Sequence, residues 1–388
     1  MRKFFVFRPG KYHMILLGGL LTFFQSNAQE TFPVNGVADP KNAVYALVHA
    51  TIVKDGKTTI TNGTLVVKDG KVLAVGADGL APKEAIVVDC KGKFIYPSFI
   101  DIYTDYGISA PTRAVAGASG FGGFGGFGGQ AQLTSNAKGS YGWNQAIHPE
   151  TEAYKIFDAD EAKAKALRDV GFGTVLTHMK DGIARGTGTV VTLADLPDQM
   201  VMVKERASAH FSLSKGTSAQ SYPSSMMGVI ALLRQTYLDA QWYKSKPEKE
   251  GVNLSLQAML DNTSLPQIIE SNDKWNDMRS DRIGDEAGVQ YIIKGGGNEF
   301  QRIKEIASTK ATYILNVNFP QATDVEDPAD ARMVSLADMK NWEMQPMNLG
   351  VMEKAKIPFC ITSADLRSPG LFMTNLRKAI EYGLSEGA

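Results

Sequence analysis

Between residues 43 and 95 the chain shows short runs in which apolar and polar residues alternate. The turn sequences Asp55-Gly56 and Asp69-Gly70 separate successive runs and are typical of tight hairpins. An apolar side chain at every second position places one side of a strand against a core. The predicted strands cover residues 43–53, 63–67, 72–75 and 85–89. The pattern predicts a small all-β layer.

After Pro97 strand-like and helix-like segments alternate, which favours βα units and a parallel sheet. The predicted strands are 98–103, 174–177, 289–293, 312–316 and 358–362, and the predicted helices are 158–170, 227–243, 299–308, 347–356 and 375–381. Several such units in the remaining chain fit a closed barrel of about 250 residues. We therefore expect an α/β fold, a (β/α)8 TIM-type barrel preceded by the small N-terminal β layer.

Two motifs indicate a family. Residues 62–76 read NGTLVVKDGKVLAVG, and residues 88–101 read VDCKGKFIYPSFID, with Ser98 where the family has glycine. These segments resemble the amidohydrolase superfamily, particularly its imidazolonepropionase-like and dipeptidase-like members. Residues 356–365 look like the family's eighth barrel strand, and 375–383 look like the helix after it. The resemblance implies a β-sandwich segment over residues 29–95 and a barrel over residues 96–388.

The resemblance also implies where a metal would bind. In active members the first barrel strand continues into His-x-His, which holds a divalent metal such as zinc. Here the corresponding residues are Tyr103 and Asp105. A phenol is a poor zinc ligand because it must first lose a proton whose pKa is near 10. One carboxylate does not make a site by itself.

Active relatives take two further histidines from strands 5 and 6, but this chain has no histidine between residues 211 and 388. Lys294 stands near the expected position on strand 5, and Asn316 and Asn318 stand on strand 6. Asp365 matches the strand 8 acid that acts as the general base, although the spacing also allows Ala364 at that position. We therefore expect a degenerate metal site, and no cofactor.

Four histidines lie beyond residue 28, and we expect only His178, at the end of a predicted strand, to face the barrel mouth. Its simpler interpretation is a hydrogen-bonded polar residue at a strand end. His148 falls in a predicted loop, where a structural role is expected more strongly still.

Charge and composition narrow the cellular context. The first 28 residues contain four basic residues and no acid, then an apolar run and small residues at Ser26 and Ala28, which together are typical of a cleaved signal peptide. The apolar run is about half the roughly 20 residues that a membrane-spanning helix needs. Without these 28 residues the chain has 37 basic and 41 acidic residues, a net charge of −4. This charge does not favour nucleic-acid binding. We expect export to the periplasm or cell surface.

Residues 120–129 repeat Gly-Phe-Gly and contain a literal Gly-x-Gly-x-x-Gly. A dinucleotide site would need a strand directly before this motif and a helix directly after it, and neither is predicted. We interpret 117–130 as a flexible insertion, with a lid or contact loop as the alternative.

Two functions follow from the sequence. The first is a non-catalytic scaffolding or binding half of a larger hydrolase, whose partner is a second amidohydrolase half in the same chain or complex. This expectation includes absent C-terminal sandwich strands, which would leave the N-terminal strands with unpaired edges. The alternative is an active hydrolase of C–N bonds with a rearranged, carboxylate-rich metal site that would use Asp101, Asp105, Asn316, Asn318 and Asp365.

Overall fold

The computed structural model describes residues 43–109, 111, 138–246 and 251–387. The predicted signal peptide (1–28) and the predicted Gly/Phe-rich insertion (117–130) lie outside the described residues. The described chain divides into two compact units at residue 95, apart from residues 55–57, which group with the second unit.

The first unit is one sheet of five strands, which are β1 (Tyr45–Val53), β2 (Thr59–Lys68), β3 (Lys71–Ala77), β4 (Ile86–Asp89) and β5 (Phe94–Ile95). Their order in the sheet is β3-β2-β1-β4, and the short β5 also lies beside β1. β1 pairs antiparallel with β2 and parallel with β4 and β5. The sheet therefore ends in β3 on one side and in β4 on the other.

The β2–β3 connection shows how the local sequence sets the strand pairing. Asp69 and Gly70 have φ values of 51° and 71°, the left-handed conformation that a two-residue hairpin turn requires. On one face, Ala46 and Val48 of β1 pack with Val66 of β2 in a buried cluster. The small β layer predicted from the alternation is present.

The second unit contains an eight-stranded sheet, ordered β6 to β13 in sequence, that is nearly closed into a barrel. Its strands are β6 (Phe99–Thr104), β7 (Phe172–Thr177), β8 (Ala184–Thr192), β9 (Met202–Ser212), β10 (Gln267–Glu270), β11 (Ile292–Lys294), β12 (Thr312–Asn316) and β13 (Phe359–Thr362). The prediction of an α/β barrel with a small N-terminal β unit is confirmed.

Helices lie between most of the later strands. They are α1 (Ala153–Ile156), α2 (Glu161–Arg168), α3 (Asp198–Val201), α4 (Met226–Ser245), α5 (Leu254–Asp261), α6 (Lys274–Ala287), α7 (Ile303–Ser308), α8 (Pro328–Met333), α9 (Leu336–Met344), α10 (Asn348–Lys354) and α11 (Phe372–Glu381). None of the helices in the described part of the chain is long and apolar enough to cross a membrane.

One strand departs from the regular βα pattern. β8 runs antiparallel to both β7 and β9, whereas the other neighbouring strands of the barrel pair in parallel. Because β8 occupies a place in the sheet, β11 and β12 are its sixth and seventh strands. The numbering of these strands as five and six in the sequence analysis was therefore wrong. The fifth strand is β10, which the periodicity did not predict.

Alternating side chains fill two layers of the barrel. Ile268 of β10 and Ile314 of β12 pack with Tyr103 and Leu176 in one buried cluster. Their neighbours Ile269 and Leu315 belong to a larger cluster that includes residues of the surrounding helices. This two-sided burial explains why the barrel strands read as continuous apolar runs.

Asp101 links the first and last barrel strands. Its carboxylate accepts hydrogen bonds from Thr362 Oγ1 (2.6 Å), from the backbone N–H of Ser363 (2.8 Å) and from Ser363 Oγ (2.6 Å). Asp101 is fully buried, so these donors satisfy a charge that would otherwise be costly to bury. The carboxylate holds β6 against β13.

Candidate active site in the barrel mouth

A cluster of charged side chains lies where the barrel strands end. Tyr103 is near the end of β6, Glu270 and Lys294 are the last residues of β10 and β11, and Asp365 follows β13. Carboxyl ends of parallel strands are the usual location of barrel active sites. Arg185 enters the same region because antiparallel β8 begins at this end.

Lys294 is the centre of the cluster. Its side chain is 1% exposed, and its Nζ donates to a carboxylate oxygen of Asp365 and to Asn272 Oδ1 at 2.8 Å. Glu270 Oε1 lies 3.8 Å from the same nitrogen. A protonated lysine offers three donors and no lone pair. It is therefore a fixed cation here and not a metal ligand.

The two residues that accept hydrogen bonds from Lys294 share an uncommon backbone conformation. Asn272 has a φ of 63° and Asp365 a φ of 68°, both in the left-handed region. Asn and Asp are the non-glycine residues that tolerate this region best. Strain of this kind tends to occur at functional sites, and here it sets the direction of both acceptors toward the ammonium.

Arg185 extends the network. Its NH1 lies 2.7 Å from Glu270 Oε2 and donates to the hydroxyl of Tyr103 at 3.0 Å. Burial acts to raise the pKa of Glu270, but Arg185 and Lys294 outweigh it and lower that pKa to about 2. Burial raises the pKa of Tyr103 well above its usual value, although Arg185 acts in the opposite direction. Tyr103 is therefore a neutral phenol between charged neighbours.

Two histidines lie beside this network. The rings of His178 and His210 stack with centroids 3.6 Å apart and an interplanar angle of 8°. Tyr103 packs against His178 at a centroid distance of 4.5 Å. Burial lowers the pKa of His210 to about 3, with Arg185 as the next cause, and burial also lowers the pKa of His178 well below its usual value. Both rings are neutral.

The histidines correct two expectations. Neither ring nitrogen of His178 has a hydrogen-bond partner at normal distance among the described residues, so the ring is held mainly by stacking and not by the hydrogen bond expected from the sequence. His210 also reaches the mouth, because β9 runs parallel to β10 and His210 lies near its end. A β-carbon on Gly188 would lie 2.6 Å from His210 Nε2, so a glycine is required there.

The remaining four predicted positions lie in different places. Asn316 Nδ2 contacts Asp365 Oδ2 at 3.3 Å and so belongs to the cluster. Asp105 is 62% exposed and lies 3.7 Å from Lys180 Nζ at the rim. Asn318 is exposed, and its backbone N–H donates to Asn316 Oδ1. Asp101 is committed to barrel closure, so the five residues of the rearranged site do not assemble into one metal-binding set.

A cavity of about 450 Å³ opens at the mouth, between Tyr103, Asp105, Lys180 and Asp365 on one side and Leu167 of α2 on another. The cavity has the size of a small-molecule site. Lys180 Nζ lies 5.3 Å from the centre of the Tyr103 ring. Tyr103 and Asp365 belong both to this cavity and to the charged cluster, so the cavity opens beside that cluster.

The residues at the mouth do not fit the zinc ion that the fold implies. Zinc needs at least three convergent ligands, and no group of three His, Cys, Asp or Glu side chains that could hold a metal occurs in the described ranges. His178 and His210 have unpartnered ring nitrogens, but Arg185 lies close enough to lower the pKa of His210. The same positive charge would repel a divalent metal. No hydrolytic step through a metal can be derived from these residues.

Sequence reasoning missed Arg185, Glu270 and Asn272. Glu270 ends the run Gln267-Ile-Ile-Glu270, just as Lys294 ends Tyr291-Ile-Ile-Lys294. An ionisable residue at the end of a short apolar run is the signal that could have identified Glu270. Arg185 gave no such signal, because its antiparallel strand is rich in glycine and threonine.

Comparison with solved structures gives several similar folds. The amidohydrolase from Thermotoga maritima MSB8 superposes with a TM-score of 0.63 at 17% identity, over 88% of this chain and 85% of that chain. A Xaa-Pro dipeptidase with bound methionine gives a TM-score of 0.41 at 11% identity, over 88% of this chain and 84% of that chain, too low to carry an argument. Neither a protein-family model nor a curated protein sequence matches the chain. The chain has the amidohydrolase fold, as its motifs indicated.

Proposed function

We propose that this chain is an exported amidohydrolase-superfamily protein whose barrel has exchanged its metal for fixed side-chain cations. It acts as a non-catalytic, scaffolding or binding half of a larger hydrolase. The observation that carries the proposal is the Lys294 ammonium between Asp365, Asn272 and Glu270. The acids that would face a metal instead neutralise Lys294 and Arg185.

The physical reason lies in charge balance. Glu270 and Asp365 supply two negative charges, and Lys294 and Arg185 supply two positive charges. A buried network of this kind is stable only when each charge is paired and hydrogen-bonded. A divalent cation added to it would leave an excess of positive charge in a poorly solvated site. Tyr103 and Lys294 stand where the resemblance expects histidine ligands, and both residues fit a site that holds no metal.

An activity assay tests the catalytic part of this proposal. The full chain, supplied with zinc or manganese, should hydrolyse dipeptides and N-acylated amino acids no faster than the metal-containing buffer. Lys294→Met and Asp365→Asn serve as paired variants, because each removes one side of the ion pair. Metal-dependent turnover that Asp365→Asn abolishes would instead favour the active hydrolase.

The N-terminal sheet supports the scaffolding part. At the edge strand β4, Ile86 is 50% and Val87 58% exposed, and at the other edge, β3, Leu73 is 58% exposed. Natural sheets usually cover or charge such edges. We propose that a β segment of a second amidohydrolase half covers them.

The matching experiment is the solution state of residues 29–388 alone. We expect self-association or early melting that Val87→Lys reduces, because a charged edge no longer pairs with another strand. Thr59→Lys, at an exposed position of β2, is the control and should leave association unchanged. A monomeric wild type that melts cooperatively would contradict the need for a partner.

A further inference from the structure

A second cavity, of about 260 Å³, lies on the flank of the barrel, away from the mouth. Thr187 of β8 and Arg206 of β9 form one side, and α5 begins at Leu254 on another. Glu150, in the loop before α1, also lines it. The volume falls below the range of roughly 300–1,000 Å³ typical of drug-sized ligands. Only a small ligand would fit.

Three residues that line this cavity carry unsatisfied polar atoms. Glu150 Oε2, Thr187 Oγ1 and Arg206 Nε are each buried and have no hydrogen-bond partner within the described ranges. Thr187 is 1% exposed, so its hydroxyl is not an ordinary surface group. Unpartnered buried polar atoms are uncommon and unfavourable in native proteins. Three around one small cavity indicate that something polar binds there.

Neighbouring contacts hold these groups in place. Arg206 NH2 donates to Asn262 Oδ1 at 2.7 Å, and Asn262 Nδ2 donates to the carbonyl of Pro149 at 3.0 Å. The guanidinium is thereby tied to the loop that carries Glu150. Glu152 Oε1 lies 3.9 Å from Arg206 Nε, which is too far for a hydrogen bond. The Nε–H of Arg206 is therefore available to a ligand.

The charges define the complementary molecule. Arg206 offers a donor to an oxygen acceptor, preferably a carboxylate. Glu150 and Thr187 offer oxygens to a donor, and Glu152 and Asp261 add negative charge to the lining. Burial raises the pKa of Glu150, so a bound cation would stabilise its ionised form. A ligand with one carboxylate and one ammonium satisfies both sides.

We propose that this flank cavity binds the zwitterion of a small amino acid. Its carboxylate would accept from Arg206, and its ammonium would donate to Glu150 and Thr187 after small rotations of these side chains. Tyr141 and Leu254 supply the apolar wall for the carbon atoms of the ligand. The site shares no lining residue with the cavity at the barrel mouth.

Isothermal titration calorimetry on the full chain tests this proposal. Glycine and alanine should bind saturably. Methylammonium and acetate each lack one of the two charged groups, and glycerol lacks both, so all three should bind at least about tenfold more weakly. Thr187→Val keeps the side-chain shape and removes the unpartnered hydroxyl. It should weaken glycine binding while Tm stays the same or rises.

Arg206→Lys should also weaken glycine, because lysine cannot reproduce the position of the Nε–H. Glu343→Gln, an exposed substitution on α9, is the matched control and should change neither affinity nor Tm. No saturable binding of glycine or alanine at about 10 mM would overturn the proposal. So would equal binding of glycerol, or a Thr187→Val protein with wild-type affinity and Tm.

Discussion

Glu270→Gln removes the carboxylate that Arg185 and Lys294 share, at almost constant side-chain volume. The pKa of Glu270 in the folded protein is about 2 against a usual value of 4.5. A difference of this size corresponds to about 3 kcal/mol of folding free energy at neutral pH. The side chain is 14% exposed, so solvent screens little of this contribution. We expect the variant to lose about 3 kcal/mol of unfolding free energy at pH 7, since it leaves two buried cations with one acid fewer.

The loss of unfolding free energy in Glu270→Gln should depend on pH. Because the folded pKa is depressed, the stabilisation is complete above about pH 5 and disappears as pH falls from 4.5 toward 2. The gap between wild type and variant should therefore narrow to about 1 kcal/mol near pH 3. A packing defect would give a gap that does not depend on pH.

Urea unfolding followed by tryptophan fluorescence measures this gap. All four tryptophans lie beyond residue 95, so the signal reports the barrel unit. Glu343→Gln is again the control, because Glu343 is 62% exposed and should contribute within about 0.5 kcal/mol. A gap below about 1 kcal/mol at pH 7, or one that stays constant with pH, would refute the charge-network account.

Three further predictions follow from other parts of the chain. Burial, followed by the charge of Glu299, raises the pKa of Asp277 well above 3.8. The folded protein therefore holds a proton on this carboxyl at pH values where the unfolded chain has already lost it. Asp277→Asn should therefore gain stability relative to wild type as pH rises above the usual carboxyl pKa of 3.8, and parallel stability curves from urea titrations would contradict this. Tyr103→Phe and Asp105→Ala should leave the metal content, measured by elemental analysis, unchanged, and a drop in either would contradict a degenerate site. Mass spectrometry of the secreted protein should find Gln29 at its N-terminus, and retention of Met1 would refute signal cleavage.

Local patterns predicted much of the fold. The predicted strand 312–316 coincides with β12, and the Asp69-Gly70 hairpin forms as expected, because strand alternation and turn conformation depend on adjacent residues. The predicted strand 289–293 overlaps β11 only in part, because the apolar run in the sequence is longer than the strand of three residues at its end. β8 was not predicted, because its Gly and Thr residues are buried by the surrounding barrel and not by an apolar pattern of their own.

The sequence predicted individual residues of the candidate site but not the contacts between them. The resemblance located Tyr103, Lys294, Asn316 and Asp365, which the structure brings together. It did not indicate that Glu270 and Asn272 also approach Lys294, because these residues lie 24 and 22 positions before it and reach it through parallel strand pairing. Asn318 was expected near the same site, yet it follows the end of β12 and is exposed.

If side-chain cations occupy the place of the metal in the barrel mouth, the purified protein should hold no stoichiometric metal, and the amount of bound metal can be measured. The purified full chain would be equilibrated with zinc or manganese, dialysed against metal-free buffer and analysed for metal per chain, beside an Asp365→Asn variant. We expect far less than one metal ion per chain in both proteins. One tightly held metal per wild-type chain that is lost in Asp365→Asn would contradict it.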